Sequence, residues 1–147
     1  MKDVPDTSIS PEPAVAELSL AIGQLIRRLR METNPDELSW SQTATLARLD
    51  KAGAMTTADL ARAEFVKPQS MGTTLADLEQ AGLVQRRPHP TDGRQVLFEL
   101  TAEGMEARRQ RNIAKREWLL AAMAKLDPAE QRTLLAAAAL LKRLAES

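Results

Sequence analysis

Lys67-Pro68-Gln69-Ser70-Met71-Gly72-Thr73-Thr74-Leu75-Ala76-Asp77-Leu78-Glu79-Gln80-Ala81-Gly82 opens with a proline suited to a first helical position and closes on a glycine suited to the residue past a helix end. Met71, Leu75 and Leu78 stand at i, i+4 and i+7 and make one apolar stripe. The other side carries Gln69, Ser70, Thr73, Thr74 and Asp77, mostly short hydrogen-bonding side chains crowded toward the N-terminal end. A helix of this kind suits the major groove of a duplex, where base edges are read by such groups near the helix N-terminus.

The chain continues Leu83-Val84-Gln85-Arg86-Arg87-Pro88-His89-Pro90-Thr91-Asp92-Gly93-Arg94-Gln95-Val96-Leu97-Phe98-Glu99-Leu100-Thr101. Two runs of strand type flank a turn rich in Pro, Asp and Gly, which predicts a β-hairpin with Arg86, Arg87 and Arg94 near its tip. The helix, the hairpin and above all Asp92-Gly93-Arg94 followed by Leu100-Thr101 resemble the MarR family of winged helix-turn-helix regulators. That family's wing signature is an Asp-x-Arg with a Leu-Thr pair six residues further on. The resemblance covers the chain from about Val15 onward and implies a mainly α fold with a small β-wing, in which a winged helix-turn-helix core is joined to N- and C-terminal dimerisation helices.

Composition sets bounds on what the chain does. At 147 residues and 44% hydrophobic content it is long enough for one packed core. No apolar run approaches the roughly 18 residues of a membrane span, and Met1-Lys2-Asp3-Val4-Pro5-Asp6 lacks a signal peptide's apolar stretch, so a cytoplasmic protein without a membrane partner is expected. The chain has no Cys, which removes disulfides, thiol sensing and thiolate zinc sites. Its one His, His89, lies between two prolines, so neither a transition-metal site nor a cofactor is expected. Net charge is zero, which taken alone argues against a nucleic-acid partner. The distribution argues otherwise: between Gln80 and Arg116 the bases Arg86, Arg87, Arg94, Arg108, Arg109, Arg111, Lys115 and Arg116 outnumber the acids Asp92, Glu99, Glu103 and Glu106. Screening over about 8 to 10 Å makes the nearest charges count most for phosphate.

In chain order, residues 1–13 are polar and proline-broken and read as a flexible arm. A helix is predicted from about Ala14 to Glu32, with Val15, Leu18, Ile22, Leu25 and Leu29 spaced 3, 4, 3, 4 as a seam for the core or for a second subunit. Ser39 with Gln42 is a capping box that starts a helix at Trp40, ended by Gly53, with Trp40, Ala44, Ala47 and Leu49 facing inward. Thr56 with Asp59 caps the next helix, Thr57 to about Glu64, with Leu60, Ala61 and Phe65 for the core. Thr101 caps a long helix from Ala102 to about Lys125, and Asp127-Pro128-Ala129-Glu130 starts a last one to about Ala145. The expected division is therefore a DNA-binding unit over 39–101 with dimerisation helices over 14–38 and 102–147. The first and the two terminal helices carry more apolar surface than such a core covers, and a homodimer resolves the excess.

The resemblance then assigns roles. Bases would be met from Gln69, Ser70, Thr73 and Thr74, with Lys67 and Pro68 near phosphate, on a palindromic operator in double-stranded DNA. Arg94 would enter the minor groove, where a narrow A·T segment concentrates negative potential, with Asp92 orienting it and Arg86 or Arg87 meeting phosphate. His89 reads as a phosphate contact or a bystander, the bystander being favoured. Gly72 costs roughly 1 kcal/mol relative to Ala, which fits either close approach to the duplex or to the preceding helix, or drift in a helix held by Met71, Leu75 and Leu78. Family members also bind small aromatic acids or lipophilic effectors in a cleft between the dimerisation helices and the core, and many act as repressors. Candidate liners here are Leu25, Leu29, Trp40 and Ala44, with Arg27, Arg28 or Arg30 pairing a carboxylate. No nucleophile with its base, carboxylate pair or phosphate loop is arranged for catalysis. The rival is a winged helix used to bind another protein without ligand control.

Overall fold

The computed structural model describes residues 9–34 and 37–147; most of the expected N-terminal arm lies outside the described residues. Helix α1 spans Pro11–Thr33 and starts three residues before the seam predicts. The reason is local: Pro11 and Pro13 sit in the first turn, where a helix has no use for their missing N–H groups. Helix α2 spans Trp40–Ala52, and both hydrogen bonds of the Ser39–Gln42 capping box form. Strand β1 is Met55–Thr56, helix α3 is Thr57–Ala63 and helix α4 is Pro68–Gln80.

Helix α4 ends as the glycine predicts. Gly82 takes φ +76, the Leu83 N–H reaches the Leu78 carbonyl and the Gly82 N–H the Glu79 carbonyl, which satisfies two carbonyls of the last turn. The chain is thereby turned into strand β2, Val84–Pro88, which pairs antiparallel with β3, Val96–Leu100, in the register Val84 to Leu100. Strand β1 adds to the other edge of β3, with Met55 opposite Phe98, giving the order β1-β3-β2. Helices α5, Ala102–Met123, and α6, Pro128–Ala145, complete the chain.

One core holds the winged unit together. Leu46, Leu49, Leu60, Ala61, Met71, Leu75, Leu78, Val84, Phe98 and Leu100 form a single buried cluster drawn from α2, α3, α4 and the sheet. Each buried aliphatic side chain contributes about 1.5 to 3 kcal/mol. Four residues expected to face inward are not part of it: Ala44 and Ala47 are only half-buried, and Trp40 and Phe65 are more exposed still. Trp40 is half exposed, because α2 buries its Thr45, Leu46 and Leu49 face instead. Phe65 is 96% exposed, because its backbone at φ +56 turns the side chain out of the loop between α3 and α4.

The outer helices behave differently. Helix α1 packs on α5, yet Val15, Leu18, Leu25 and Ile26 remain exposed. Among the described residues, none of α6 is buried, and Leu134, Leu135, Leu140, Leu141 and Leu144 face outward. Among the described residues no helix is long and apolar enough to cross a membrane.

Candidate nucleic-acid interface

Helix α4 is held by its stripe, with Met71, Leu75 and Leu78 at most 2% exposed. That burial leaves Lys67, Pro68, Gln69, Ser70 and Thr73 exposed and Thr74 half-buried. The two threonine hydroxyls are already used: Thr73 Oγ1 donates to the Gln69 carbonyl at 3.2 Å and Thr74 Oγ1 to the Ser70 carbonyl at 3.1 Å. They keep a lone pair and a methyl for a partner, while Gln69 brings both an amide donor and an acceptor. A Cβ on Gly72 would meet nothing within 4 Å among the described residues, so approach to α3 does not explain that glycine.

The hairpin supplies the cations. Arg94 is 94% exposed in its side chain and lies 3.6 Å from Asp92 Oδ1, the same oxygen that accepts the Arg94 backbone N–H at 3.0 Å. Arg86 and Arg87 are more constrained. The Arg86 Nε donates to Glu79 at 2.9 Å, and its guanidinium stands 5.5 Å from the Phe98 ring centre. Arg87 pairs with Glu99 across the strands at 3.3 Å. Glu79, on the last turn of α4, therefore neutralises one of the two bases that the spacing offers to phosphate.

His89 is bonded within its own loop. Its Nδ1 accepts the Thr91 N–H at 3.2 Å and the Asp92 N–H at 3.0 Å. Sequence spacing gives no hint of this, because it depends on the Thr91 and Asp92 N–H groups turning toward Nδ1.

A cleft of about 210 Å³ lies where α1, α2 and α5 meet. Leu29 and Trp40 line it together with Ile26, Arg30, Arg108 and Arg111. Leu25, Arg28 and Ala44 lie outside that lining: Arg28 is bound to Glu32 at 2.7 Å one turn along α1, and Ala44 faces a smaller groove beside Ser70 and Met71. Arg30 stands over the Trp40 ring at 5.5 Å. Arg111, which the sequence offers only as one base among several, is nearly buried and donates to Thr43 Oγ1 at 2.6 Å and to Asn34 Oδ1 at 2.9 Å. Among the described residues no three His, Asp or Glu side chains converge as a metal site.

The architecture has known counterparts. A family model for the MarR family matches residues 38–96. Over 131 residues the chain is 40% identical to an HTH-type transcriptional regulator of Mycobacterium bovis, spanning 89% of this chain and 92% of that relative. The crystal structure of a transcriptional regulator of Pseudomonas aeruginosa matches with a TM-score of 0.82 at 34% identity, over 92% of this chain and 96% of the other. A cysteine-to-serine mutant of MarR from E. coli, solved in complex with operator DNA, shares the fold with a TM-score of 0.68 at 24% identity, over 90% and 94% of the two chains. With an exposed polar α4, a basic hairpin beside it and these relatives over nearly its whole length, the chain belongs to the MarR family of winged helix-turn-helix DNA-binding transcriptional regulators, which are not enzymes.

Proposed function

We propose that two copies of this chain, joined through α1, α5 and α6, read an inverted-repeat operator and repress the gene behind it. The observation that carries this reading is the pairing of two exposed features on one buried core: the polar first turns of α4 and the Arg94 tip of the wing. The unburied leucines of α6 and the exposed apolar residues of α1 support a two-fold partner. Such a body sets two recognition helices about 34 to 36 Å apart, one turn of duplex, which calls for a palindromic site. Gln69, Ser70, Thr73 and Thr74 would meet base edges, Lys67, Pro68 and Arg86 the phosphates, and Arg94, held by Asp92, the minor groove. Seated across an operator, the dimer would exclude polymerase, which makes repression the expected sense. A cytoplasmic location goes with this reading.

The cleft suits an anionic aromatic or lipophilic effector. Among the described residues its lining is apolar at Ile26, Leu29 and Trp40 and cationic at Arg30, Arg108, Arg111 and Lys115. A ligand there touches both the outer helices and α2, so it would change the spacing of the two DNA-reading lobes.

Selection of bound duplexes from a random pool with purified protein tests the central reading. An inverted repeat with half-sites one turn apart is expected, released by salt and by phenolic acids. Recovery of no duplex would favour the second reading, a winged helix that binds a protein, which the bare Phe65 ring beside α4 supports.

A further inference from the structure

We propose that His89 is a positioning residue for Arg94, acting through Asp92, and that it works as a neutral hydrogen-bond acceptor rather than as a cation. The inference rests on the DNA-binding reading of the wing.

The loop between β2 and β3 is closed by a short relay. His89 Nδ1 accepts the Asp92 N–H at 3.0 Å and the Thr91 N–H at 3.2 Å. Asp92 Oδ1 then accepts the Arg94 N–H at 3.0 Å and faces Arg94 Nε at 3.6 Å. The Asp92 carbonyl takes the Gln95 N–H at 3.0 Å, and the Gln95 carbonyl takes the His89 N–H at 3.3 Å, so the loop returns to its starting residue. An Nδ1 that accepts two backbone N–H groups cannot carry a proton, so the neutral ring holds its proton on Nε2.

The residue type follows from where the loop would work. Asn or Asp accepts backbone N–H groups in the same way two residues on. A second carboxylate beside Asp92 would repel phosphate, whereas imidazole accepts without adding negative charge. Arg94, almost wholly exposed, has few packing contacts to fix it. Its direction is therefore set by Asp92, and the place of Asp92 is set by His89.

Three substitutions separate an acceptor from a cation. One net hydrogen bond corresponds to about a 3- to 10-fold change in affinity. His89→Ala should weaken binding of the selected operator by that amount. His89→Asn, which restores an acceptor, should stay within about 2-fold of wild type, and His89→Lys, which adds a phosphate-attracting charge but no acceptor, should keep no more of the preference for operator over random duplex than Ala does. In an Arg94→Ala background the His89→Ala step should shrink below about 2-fold, because the two act in series. Full affinity of His89→Ala, a wild-type preference for operator over random duplex in His89→Lys, or additive losses in the double variant would each overturn the proposal. Nitrogen-15 shifts of the ring report the relay without DNA: an unprotonated Nδ1 supports it and a protonated Nδ1 refutes it. Failure of the wild type to bind any duplex would instead remove the DNA-binding reading, and the ring measurement would still stand.

Discussion

The Thr101 hydroxyl donates to the Gly82 carbonyl at 2.6 Å while it accepts the Gly104 N–H at 3.0 Å, so one side chain joins the end of the recognition helix to the start of α5. Its own backbone N–H reaches the Leu83 carbonyl at 3.1 Å. The neighbouring Leu100 is buried in the core. The Leu-Thr pair of the wing signature thus has a mechanical purpose: Leu100 anchors β3, and Thr101 ties the start of α5 to the turn after α4.

Gly104 is the tightest point of that junction. A Cβ there would lie far inside contact distance of the Leu83 carbonyl oxygen, a backbone atom that cannot rotate away. Gly104→Ala is expected to destabilise the protein by about 2 to 3 kcal/mol through overpacking. Urea unfolding measures it, and a loss below 0.5 kcal/mol, taken as about the size of a surface substitution, would show that α5 moves freely on the wing.

A second junction ties α5 to α2. Arg111 crosses from the outer helix to Thr43 and Asn34 and is only 9% exposed. Arg111→Ala should cost about 2 to 4 kcal/mol: two hydrogen bonds to a charged group contribute roughly 1.5 to 3 each, and the half-buried Thr43 and Asn34 regain part of that from water. Arg111→Lys should recover only part of it, because one ammonium does not span both acceptors as the guanidinium fork does. Equal melting temperatures for Lys and Arg would argue against the fork.

Much of this fold was legible because its signals are local. Pro68 and Gly82 bracket α4, Ser39 with Gln42 and Asp127 with Glu130 cap their helices, and each pattern acts within a few residues. What escaped depends on remote or backbone geometry. Strand β1 is two residues long and exists because β3 offers an edge. Phe65 reads as core by its chemistry, yet φ +56 decides otherwise. Periodicity found the apolar face of α1 and could not say which part meets α5, so Leu29 lines the cleft and Leu25 does not.

Two residues near the interface carry backbone costs that substitution should relieve. Phe65 holds a left-handed backbone, which costs an L side chain roughly 1 to 2 kcal/mol, and packs little of its ring. Phe65→Gly should therefore leave stability unchanged or raise it by up to about 1 kcal/mol after glycine's own entropy is counted. Gly72, with open space where a Cβ would stand, should gain about 0.5 to 1 kcal/mol as Ala. Thermal melts of both variants decide it; a destabilised Phe65→Gly would mean that the ring is packed in solution.

In the proposed homodimer, charge on the outer helices should separate the two copies without unfolding the winged core. Ile22 and Leu141 are partly exposed apolar residues on helices that contribute nothing to the buried cluster. Under two-fold symmetry each substitution removes two buried side chains, about 3 to 6 kcal/mol or roughly 100- to 10,000-fold in dimer affinity. Sedimentation of Leu141→Glu and Ile22→Glu should show monomers with retained circular dichroism. Unchanged dimers would place the interface elsewhere.

The arginines of the wing should differ in their salt signatures although they sit on one hairpin. Each cation brought among the phosphates adds about 0.9 to the slope of log affinity against log salt, and a minor groove lies between two phosphate backbones, so losing Arg94 from both subunits should flatten the slope by up to about 2. Arg86 is already neutralised by Glu79 at 2.9 Å, and Arg86→Ala should change the slope less. The converse test is sharper: Glu79→Gln keeps the shape of α4 but releases the Arg86 charge, and should strengthen binding to any duplex while steepening its salt dependence. Filter-binding titrations from about 50 to 200 mM salt, the range over which such contacts dominate, resolve the three variants. A Glu79→Gln protein that bound no tighter would mean that Arg86 faces away from the phosphates, and the wing would then meet DNA through Arg94 alone.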